Sequence, residues 1–413
     1  MKSRKLLAGA LAAAAAVTLA ACSTSPGGSS GGSSSGNKTI VLSFWAGGPS
    51  DQNVWQHTVD MVHETYPNLT LKLQTIGWND YWTKLPTTLA GSDAPCLVGM
   101  SAPRVQQFGN LLAPLNDYLT KNKITGSDFD SSVWNVMQSG GKQVAVPYDF
   151  GPYVMYYNRD MFKAAGLADP QDGWTVDEFV KDAKALTKGN RYGFTLNNAI
   201  DAMNIWGPTI AGTQAVDKSG KLDLTSAGMK KTLSWYAGLQ TTDKVAPPLA
   251  ADSSESSPFL AGNAAMYASG PWDMSTVKST AKFDAGVVTM PVGDAGPATI
   301  VSGSGFSITQ KCNDKDDAAK ALAVITGSKA LDYLGSEGRA FPARTADQNS
   351  WYSSAVAGAE PVLKASQSVG QAYRSTANWN QISVAWTNGV ISVINGDATV
   401  DPFLKSLQSE FGS

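Results

Sequence analysis

The chain has 413 residues, of which 43% are hydrophobic and 16% are charged, and its formal net charge is −2 at pH 7. This length allows one large or two medium domains, and the lack of a basic stripe argues against a nucleic-acid partner. His57 and His63 are the two histidines of the sequence, which excludes three-histidine zinc sites and HExxH motifs, so we expect no metal and no cofactor.

The first 37 residues have the composition of a leader and a linker. A short basic head precedes an apolar run that ends at residue 21, which is typical of a secretory signal and too short to span a bilayer comfortably. The sequence Leu-Ala-Ala-Cys ending at Cys22 resembles a bacterial lipobox, and a Ser/Gly-rich stretch follows. We expect a signal peptide at 1–21, lipid on Cys22, and a flexible linker over 22–37. The alternative is an ordinary secretory signal that is cut near Ala21.

The next segment alternates between strand and helix patterns. The run KTIVLSFWA, which is ended by Gly-Gly-Pro, predicts a buried strand. Apolar residues at Trp55, Val59, Val62 and Tyr66 define one helix face, and LTLKLQ alternates with period two as a strand does. The stretch PCLVGM predicts a further strand, and alternation of this kind indicates a parallel sheet covered by helices.

The pattern changes near Gln143–Leu167, where prolines and a glycine split two strand-like runs, so a first domain is expected to end there. Farther along, Thr175 and Glu178 have the spacing of a capping box before a helix. The stretch SGSGFSITQKC predicts a glycine/serine loop that feeds a strand, and NQISVAWTNGVISVINGDA predicts a late helix. The whole pattern predicts an α/β protein with two lobes.

Cys96 and Cys312 remain after Cys22 and fall in segments assigned to the same lobe. In an oxidising compartment such a pair can form a disulfide, and the alternative is two buried thiols.

The candidate site residues follow predicted strands, because open α/β sheets bind ligands at the carboxyl ends of their strands. They combine flat aromatic rings with neutral or acidic hydrogen-bonding groups, a combination that suits the apolar faces and hydroxyl rim of a sugar. Each tryptophan among them could instead be a core residue. The candidates are Trp45, Trp78, Asn79, Tyr81, Asp149, Tyr153, Asn197, Trp206, Trp272, Asp273 and Ser304.

Several motifs, in order, resemble the extracellular sugar-binding proteins of ABC importers, the group that includes maltodextrin-binding protein. They are VLSFWA, VPYDFGPYVMYYNRDMFKAAGL, FLAGNAAMYASGPWD, GSGFSITQKCNDKDDAAKALAVITG and INGDAT. The resemblance implies a type II periplasmic-binding-protein fold, with two discontinuous lobes of mostly parallel sheet and flanking helices that are joined by hinge strands. The implied lobes are 38–146 plus 304–345 and 147–303 plus 346–413. Matching by region adds Arg344 and Trp379 to the candidate ligand residues.

The resemblance also implies a function without covalent chemistry. A monomeric receptor on the outer face of the membrane would capture a carbohydrate, such as a di- or oligosaccharide, and deliver it to the permease subunits of an ABC transporter. One alternative is a binding protein of the same fold for a polyol, peptide or osmolyte, in which Arg104, Arg339 or Arg344 supplies a charge clamp. Another is an anchored glycoside hydrolase that uses Asp149 and Asp273 as its carboxyl pair. Delivery to a sensor instead of a transporter also stays open.

Overall fold

A computed structural model describes residues 36–250 and 255–412, and the fold discussed below is that of the unit spanning residues 37–413. The predicted signal peptide and the predicted lipid attachment at Cys22 lie outside the described residues.

The strands fall into two sheets and a short hairpin. In chain order they are β1 (Lys38–Trp45), β2 (Leu69–Ile76), β3 (Leu97–Ser101), β4 (Gln138–Ser139), β5 (Lys142–Gln143), β6 (Val146–Pro152), β7 (Val154–Asn158), β8 (Tyr192–Phe194), β9 (Ala264–Ser269), β10 (Ala285–Thr289), β11 (Thr299–Ile308) and β12 (Gly370–Ala372).

The helices cover the faces of these sheets, and several begin at the residues that their sequences indicate. Thr175 and Glu178 form the predicted capping box, and the Asn158 side chain accepts from the Met161 N–H at the start of another helix. The helices are α1 (Pro49–Thr65), α2 (Trp78–Ala90), α3 (Val105–Phe108), α4 (Asn116–Lys121), α5 (Ser131–Val136), α6 (Arg159–Ala164), α7 (Val176–Leu186), α8 (Asp201–Ala211), α9 (Ala227–Thr241), α10 (Ser257–Leu260), α11 (Met274–Thr280), α12 (Lys315–Ile325), α13 (Ser328–Ser336), α14 (Gln348–Ser354), α15 (Ala359–Ser368), α16 (Trp379–Asn395) and α17 (Val400–Phe411).

The first sheet confirms the strand–helix alternation predicted for the beginning of the body. Its strand order is β12-β11-β3-β1-β2, with β6 on the other edge of β11. Strand β1 runs parallel to β2 and to β3, and its full length pairs with β2 from Lys38↔Leu69 to Trp45↔Ile76. Because these strands are parallel, Trp45 and the residues that follow β2 and β3 lie at one edge of the sheet.

The second sheet differs from the prediction of a mostly parallel sheet. Its order is β10-β7-β9-β8, and only the β8–β9 pair is parallel. The chain enters this sheet along β7 and leaves it along β10. These two neighbouring strands therefore run in opposite directions and are antiparallel. A pattern of alternating elements does not encode strand direction, so this arrangement could not be predicted from it.

Two strands connect the sheets. Strand β6 leads through Tyr153 into β7, and β11 returns from the second sheet and pairs with β6 from Val301↔Pro152 to Phe306↔Val146, with one register shift. The predicted glycine/serine loop at SGSG is therefore wrong, since these residues lie inside β11. Glycine is needed there because a Cβ on Gly305 would lie 2.6 Å from the Val146 carbonyl oxygen of the paired strand.

The buried hydrophobic residues form two separate clusters in the described part of the chain, each with several aromatic rings. In the first cluster, Phe44 packs against Trp55 with ring centroids 4.7 Å apart and against Phe306 at 5.2 Å. This confirms Trp55 as part of the buried face of α1, whereas Tyr66 lies just past the end of the helix and is exposed. His57 and His63 lie on the exposed side of the same helix.

A disulfide joins Cys96 and Cys312, with Cα atoms 4.5 Å apart and a sequence separation of 216. It links the start of β3 to the turn that follows β11, two neighbouring strands of the first sheet. Across residues 36–250 and 255–412 no helix is long and apolar enough to cross a membrane.

Candidate functional site

An aromatic cluster forms at the carboxyl-end edge of the first sheet. Trp45 ends β1, and Trp78, Tyr81 and Trp82 occupy the first turns of α2, which follows β2 directly. The Trp45 ring lies 4.9 Å from Trp78 and 5.3 Å from Trp82, centroid to centroid. Trp78 is 38% exposed while its neighbours are buried, so this cluster presents one aromatic surface to solvent.

Arg104 follows β3 and lies on this aromatic cluster. Its guanidinium carbon is 4.3 Å from the centroid of the Trp82 ring and 5.4 Å from that of Trp78. Its Nε donates to the Asn380 side-chain oxygen at 3.2 Å. Burial lowers the pKa of Arg104, and the nearby Asp201, Tyr373 and Tyr153 oppose that effect. The site therefore holds a fixed, buried cation against aromatic faces.

Asp201 and Tyr373 lie close enough to the same arginine to act on it electrostatically. The Tyr373 hydroxyl donates to the Asp201 carboxylate at 2.8 Å. Asp201 begins α8, and Tyr373 follows β12, so these groups come from parts of the chain far from Arg104 in sequence. Burial raises the pKa of Tyr153 well above its usual value, and Asp201, Glu255 and Asp273 raise it further.

Trp272 contacts Tyr153 edge to face, with ring centroids 5.2 Å apart. It follows β9 in the GPWD turn, and its ring lies flat against Gly270, where an added Cβ would be 2.2 Å from the indole. The neighbouring Asp273 accepts from the Ser269 hydroxyl at 2.7 Å and from the Tyr267 hydroxyl. Asp273 thus fixes the turn that carries Trp272, and burial raises the pKa of its carboxyl.

The first turn of α16 links the aromatic cluster of α2 to the residues around Tyr373. The Asn380 side-chain amide donates to the Trp82 carbonyl oxygen at 2.9 Å, and its backbone N–H donates to the Gln107 side chain at 2.7 Å. Trp379 is fully buried beside Tyr373, with ring centroids 5.8 Å apart.

Three buried donors at this place lack acceptors within the described part of the chain. They are Arg104 Nη1, Trp82 Nε1 and Trp379 Nε1. A buried donor without an acceptor costs free energy, and native proteins leave few of them. Oxygen acceptors are the partners that such donors take.

The structure brings some of the predicted residues together. Trp45, Trp78 and Tyr81 share the aromatic cluster beside Arg104. Tyr153 acts electrostatically on Arg104 and contacts Trp272, and Trp379 contacts Tyr373. Of these, Tyr81 faces inward and donates from its hydroxyl to the Gly99 carbonyl oxygen at 2.7 Å. It supports the cluster and offers no free polar group.

Other predicted residues lie elsewhere. Trp206 is 1% exposed and is enclosed by Phe179, Phe194 and Trp235 in the second hydrophobic cluster, so we withdraw it as a ligand residue. We also withdraw Arg344, since it pairs with Asp128 at 3.2 Å and with Asp347 at 3.6 Å.

Four further candidates make other contacts or are exposed. The Asn197 side chain accepts from the Ala199 N–H within its own turn, and Asn79 is exposed on α2. Ser304 and Asp149 contact each other in the strands that join the sheets.

The predicted set of sugar-binding residues leaves out several residues of this place. The sequence names Arg104 only as a charge clamp for a solute other than a sugar, although it follows a predicted strand directly and the strand-end rule that selected Trp78 could have selected it too. Asp201, Tyr373 and Asn380 carry no such signal, because only the folding of distant segments brings them to Arg104.

Comparisons with known proteins agree with this architecture. A family model described as bacterial extracellular solute-binding protein matches residues 58–357. A putative binding protein of Brucella abortus is 26% identical over 273 residues, which cover 62% of this chain and 64% of that protein. The chain thus spans slightly less than two thirds of that relative. The lactose-binding protein of Rhizobium radiobacter is 24% identical over 331 residues, or 74% of this chain and 76% of that protein.

Among solved structures, an ABC substrate-binding protein of Listeria monocytogenes in complex with cycloalternan matches with a TM-score of 0.84. It is 22% identical in sequence, and the match covers 90% of this chain and 97% of that chain. A likeness of this extent establishes that the two chains share a fold.

Proposed function

Because the chain belongs to the family of bacterial extracellular solute-binding proteins, we propose that it captures a carbohydrate between two lobes and delivers it to an ABC permease. Fold and family are those of binding proteins, and the proposed role requires no covalent chemistry. A di- or oligosaccharide suits the number of aromatic rings at the site.

The set of unsatisfied donors beside aromatic faces carries this proposal. Arg104 Nη1, Trp82 Nε1 and Trp379 Nε1 need oxygen acceptors, and a sugar supplies several within a few ångströms. The half-buried Trp272 and the exposed face of Trp78 offer apolar surfaces for the C–H faces of sugar rings. The ligands named for the Rhizobium and Listeria relatives, lactose and cycloalternan, are of the same chemical class.

Binding would act through closure of the two lobes. A ligand that contacts both sides of the site favours the closed form only by its differential affinity for that form. The closed form would present both lobes to the permease. We propose 38–146 plus 304–345 and 147–303 plus 346–413 as the lobes, since two of these boundaries fall at β6 and within β11, the strands that connect the sheets.

A lipid on Cys22 would keep the receptor close to its transporter. In this proposal residues 1–21 are removed as a signal peptide, and the linker lets a monomeric body reorient while its concentration near the permease stays high. Cys22→Ser is expected to shift the protein from the membrane fraction to the soluble extracellular fraction. Unchanged membrane association of this variant would contradict lipid anchoring.

A thermal-shift screen of residues 38–413 against mono- and oligosaccharides, polyols, peptides and osmolytes tests the ligand class. A ligand at 100 times its Kd should stabilise the folded state by about 2.7 kcal/mol. We expect a shift with one class of sugar that disappears in Trp272→Ala. Tyr66→Ala, which removes an exposed ring outside the site, is the matched control and should keep the shift.

Other outcomes would favour the alternatives. A shift only with polyols, peptides or osmolytes would retain the fold and reject the carbohydrate. Release of products from an oligosaccharide by the purified protein would instead indicate a glycoside hydrolase.

A further inference from the structure

The backbone ladder between β6 and β11 is interrupted where the chain passes between the sheets. Ser304 pairs with Asp149, but the next pair is Gly305 with Pro147, so the register shifts and Tyr148 has no partner across the ladder. Pro147 and Pro152 have no N–H to donate. The two connecting strands are therefore joined by fewer backbone hydrogen bonds than a regular pair of this length would have.

The Asp149 side chain makes a bond at this interruption. Its Oδ1 accepts from the Ser304 N–H at 2.8 Å, and the side chain is 3% exposed. On its other edge β6 is fixed by backbone bonds, since Ala343 N–H donates to the Tyr148 carbonyl at 3.0 Å and Phe150 N–H to the Phe341 carbonyl at 3.2 Å. The carboxylate thus binds β11 to a β6 strand that is itself well supported.

We propose that Asp149 is a hinge-positioning residue, whose carboxylate replaces a missing ladder bond and sets the geometry of the two connecting strands without contacting the solute. This inference rests on the proposed function, because it assigns β6 and β11 as the hinge of a closing receptor. It also replaces the earlier expectation that Asp149 and Ser304 are ligand residues.

The charged groups around Asp149 agree with an internal role. Arg339, which lies after α13, is the cation that acts on it, and Arg339 is itself paired with Asp51 of α1. Tyr148 of β6 is the other titratable neighbour. Burial raises the pKa of Asp149 to about 7, while Arg339 and the bonds from Ser304 oppose the rise. The carboxyl therefore titrates near neutral pH, and its ionised form accepts the stronger bond.

The direct test is hydrogen exchange of the Ser304 amide, measured by NMR on the unliganded body of residues 38–413. In Asp149→Ala we expect the protection factor of this amide at pH 7 to fall at least about tenfold, since the acceptor is gone. In Asp149→Asn the side-chain oxygen still accepts, so protection at pH 7 should return to within about threefold of the wild-type value.

The pH dependence of the Ser304 protection factor distinguishes a positioning role of the Asp149 carboxylate from a role in packing alone. Between pH 6 and 8 the wild-type protection factor of Ser304 should rise about threefold or more as Asp149 ionises, and in Asp149→Asn it should stay flat. If Asp149→Ala does not fold, the comparison of the wild type with Asp149→Asn is sufficient to test the proposal. A flat wild-type profile, or equal protection in all folded variants, would overturn the proposal.

Titration with maltose and with lactose provides a separate readout. If either sugar binds, Asp149→Asn should bind it with wild-type affinity. A loss above tenfold with unchanged Ser304 exchange would make Asp149 a ligand contact and overturn the inference. Lack of binding by the wild type to both sugars and to the wider screen would count against the proposed function, while the exchange experiment would still test the hinge residue.

Discussion

At the scale of single residues, burial separates aromatic residues that resemble each other in sequence. Trp206 and Trp272 both follow predicted strands, yet one is enclosed by other rings and the other is half-buried in a turn. A strand-end tryptophan is therefore a candidate for either the core or a site, and the surrounding side chains decide between them.

We expect Trp206→Ala to reduce stability and Trp272→Ala to reduce binding. Trp206→Ala leaves a large cavity in the second hydrophobic cluster and should lower the free energy of unfolding by about 3–5 kcal/mol. Trp272→Ala should cost little stability but abolish sugar binding. Urea unfolding and calorimetric titration of both variants check this, and equal loss of stability in both would contradict it.

Arg104 should contribute more to binding than to stability, because one of its donors has no acceptor within the described residues. Arg104→Ala is expected to weaken sugar binding by about 10- to 100-fold, the range for a hydrogen bond to a charged group. Arg104→Lys should not restore affinity, since an ammonium lacks the planar fork that stacks on Trp82.

The matched control for Arg104 is Arg344→Ala. Arg344 already pairs with Asp128 and Asp347, so its removal should leave the dissociation constant unchanged. Isothermal titration of the three arginine variants gives the comparison. An Arg104→Ala affinity within twofold of the wild type would remove this residue from the site.

At the scale of elements, the first sheet is supported by a covalent link in addition to its backbone ladder. The disulfide joins the start of β3 to the turn after β11, and these strands are direct neighbours. Both cysteines lie away from Arg104 and the aromatic cluster, which predicts a role in stability and none in binding.

Replacing both Cys96 and Cys312 by serine should lower the free energy of unfolding by about 2–5 kcal/mol, because the disulfide closes a long loop in the unfolded chain. Urea unfolding of this variant, and of the wild type with dithiothreitol, measures the effect. The sugar dissociation constant should not change. A variant as stable as the wild type would show that the ladder alone fixes these strands.

At the scale of the whole molecule, we expect carboxyl groups with raised pKa values to govern the pH dependence of stability. Burial raises the pKa of Asp149 to about 7 and that of Glu255 to about 8, with Asp273 and Asp201 adding to the rise for Glu255. Burial also raises the pKa of Asp273. The folded state therefore binds more protons than the unfolded state across this range.

The sign of the effect follows from that difference. Each raised carboxyl stabilises the folded protein below its unfolded pKa, and this contribution is lost as pH rises through the folded pKa. We expect the free energy of unfolding to be higher at pH 5 than at pH 8, by at least about 1 kcal/mol. Surface acids with lowered pKa values, such as Asp294 and Asp401, change the free energy of unfolding only at pH values below this range.

Urea unfolding of the unliganded protein at pH 5, 6, 7 and 8 measures this profile. In Asp149→Asn the fall in stability as pH rises toward about 7 should become smaller, since the amide does not titrate. A stability that is flat or that increases up to pH 8 would contradict the assignment of raised pKa values to these carboxyl groups.

Local patterns in the sequence determined much of this protein. The strand–helix order of the first sheet, the capping box at Thr175, the late helix α16 and the family resemblance all follow from residues that are close in the chain. Helix periodicity, capping and strand alternation are local interactions, so they can be read without knowing the fold. The strand-end rule likewise selected Trp45 and Trp78, which share one aromatic cluster, and Trp272, which contacts Tyr153.

Only the tertiary structure decided which of these residues meet. Arg104 lies between aromatic rings of α2 and groups from Asp201, Tyr373 and Asn380, which are separated from it by about a hundred residues or more. The strand directions of the second sheet, the burial of Trp206 and the bond from Ser304 to Asp149 are likewise long-range. Such contacts depend on how distant segments pack, and no local periodicity or motif encodes them.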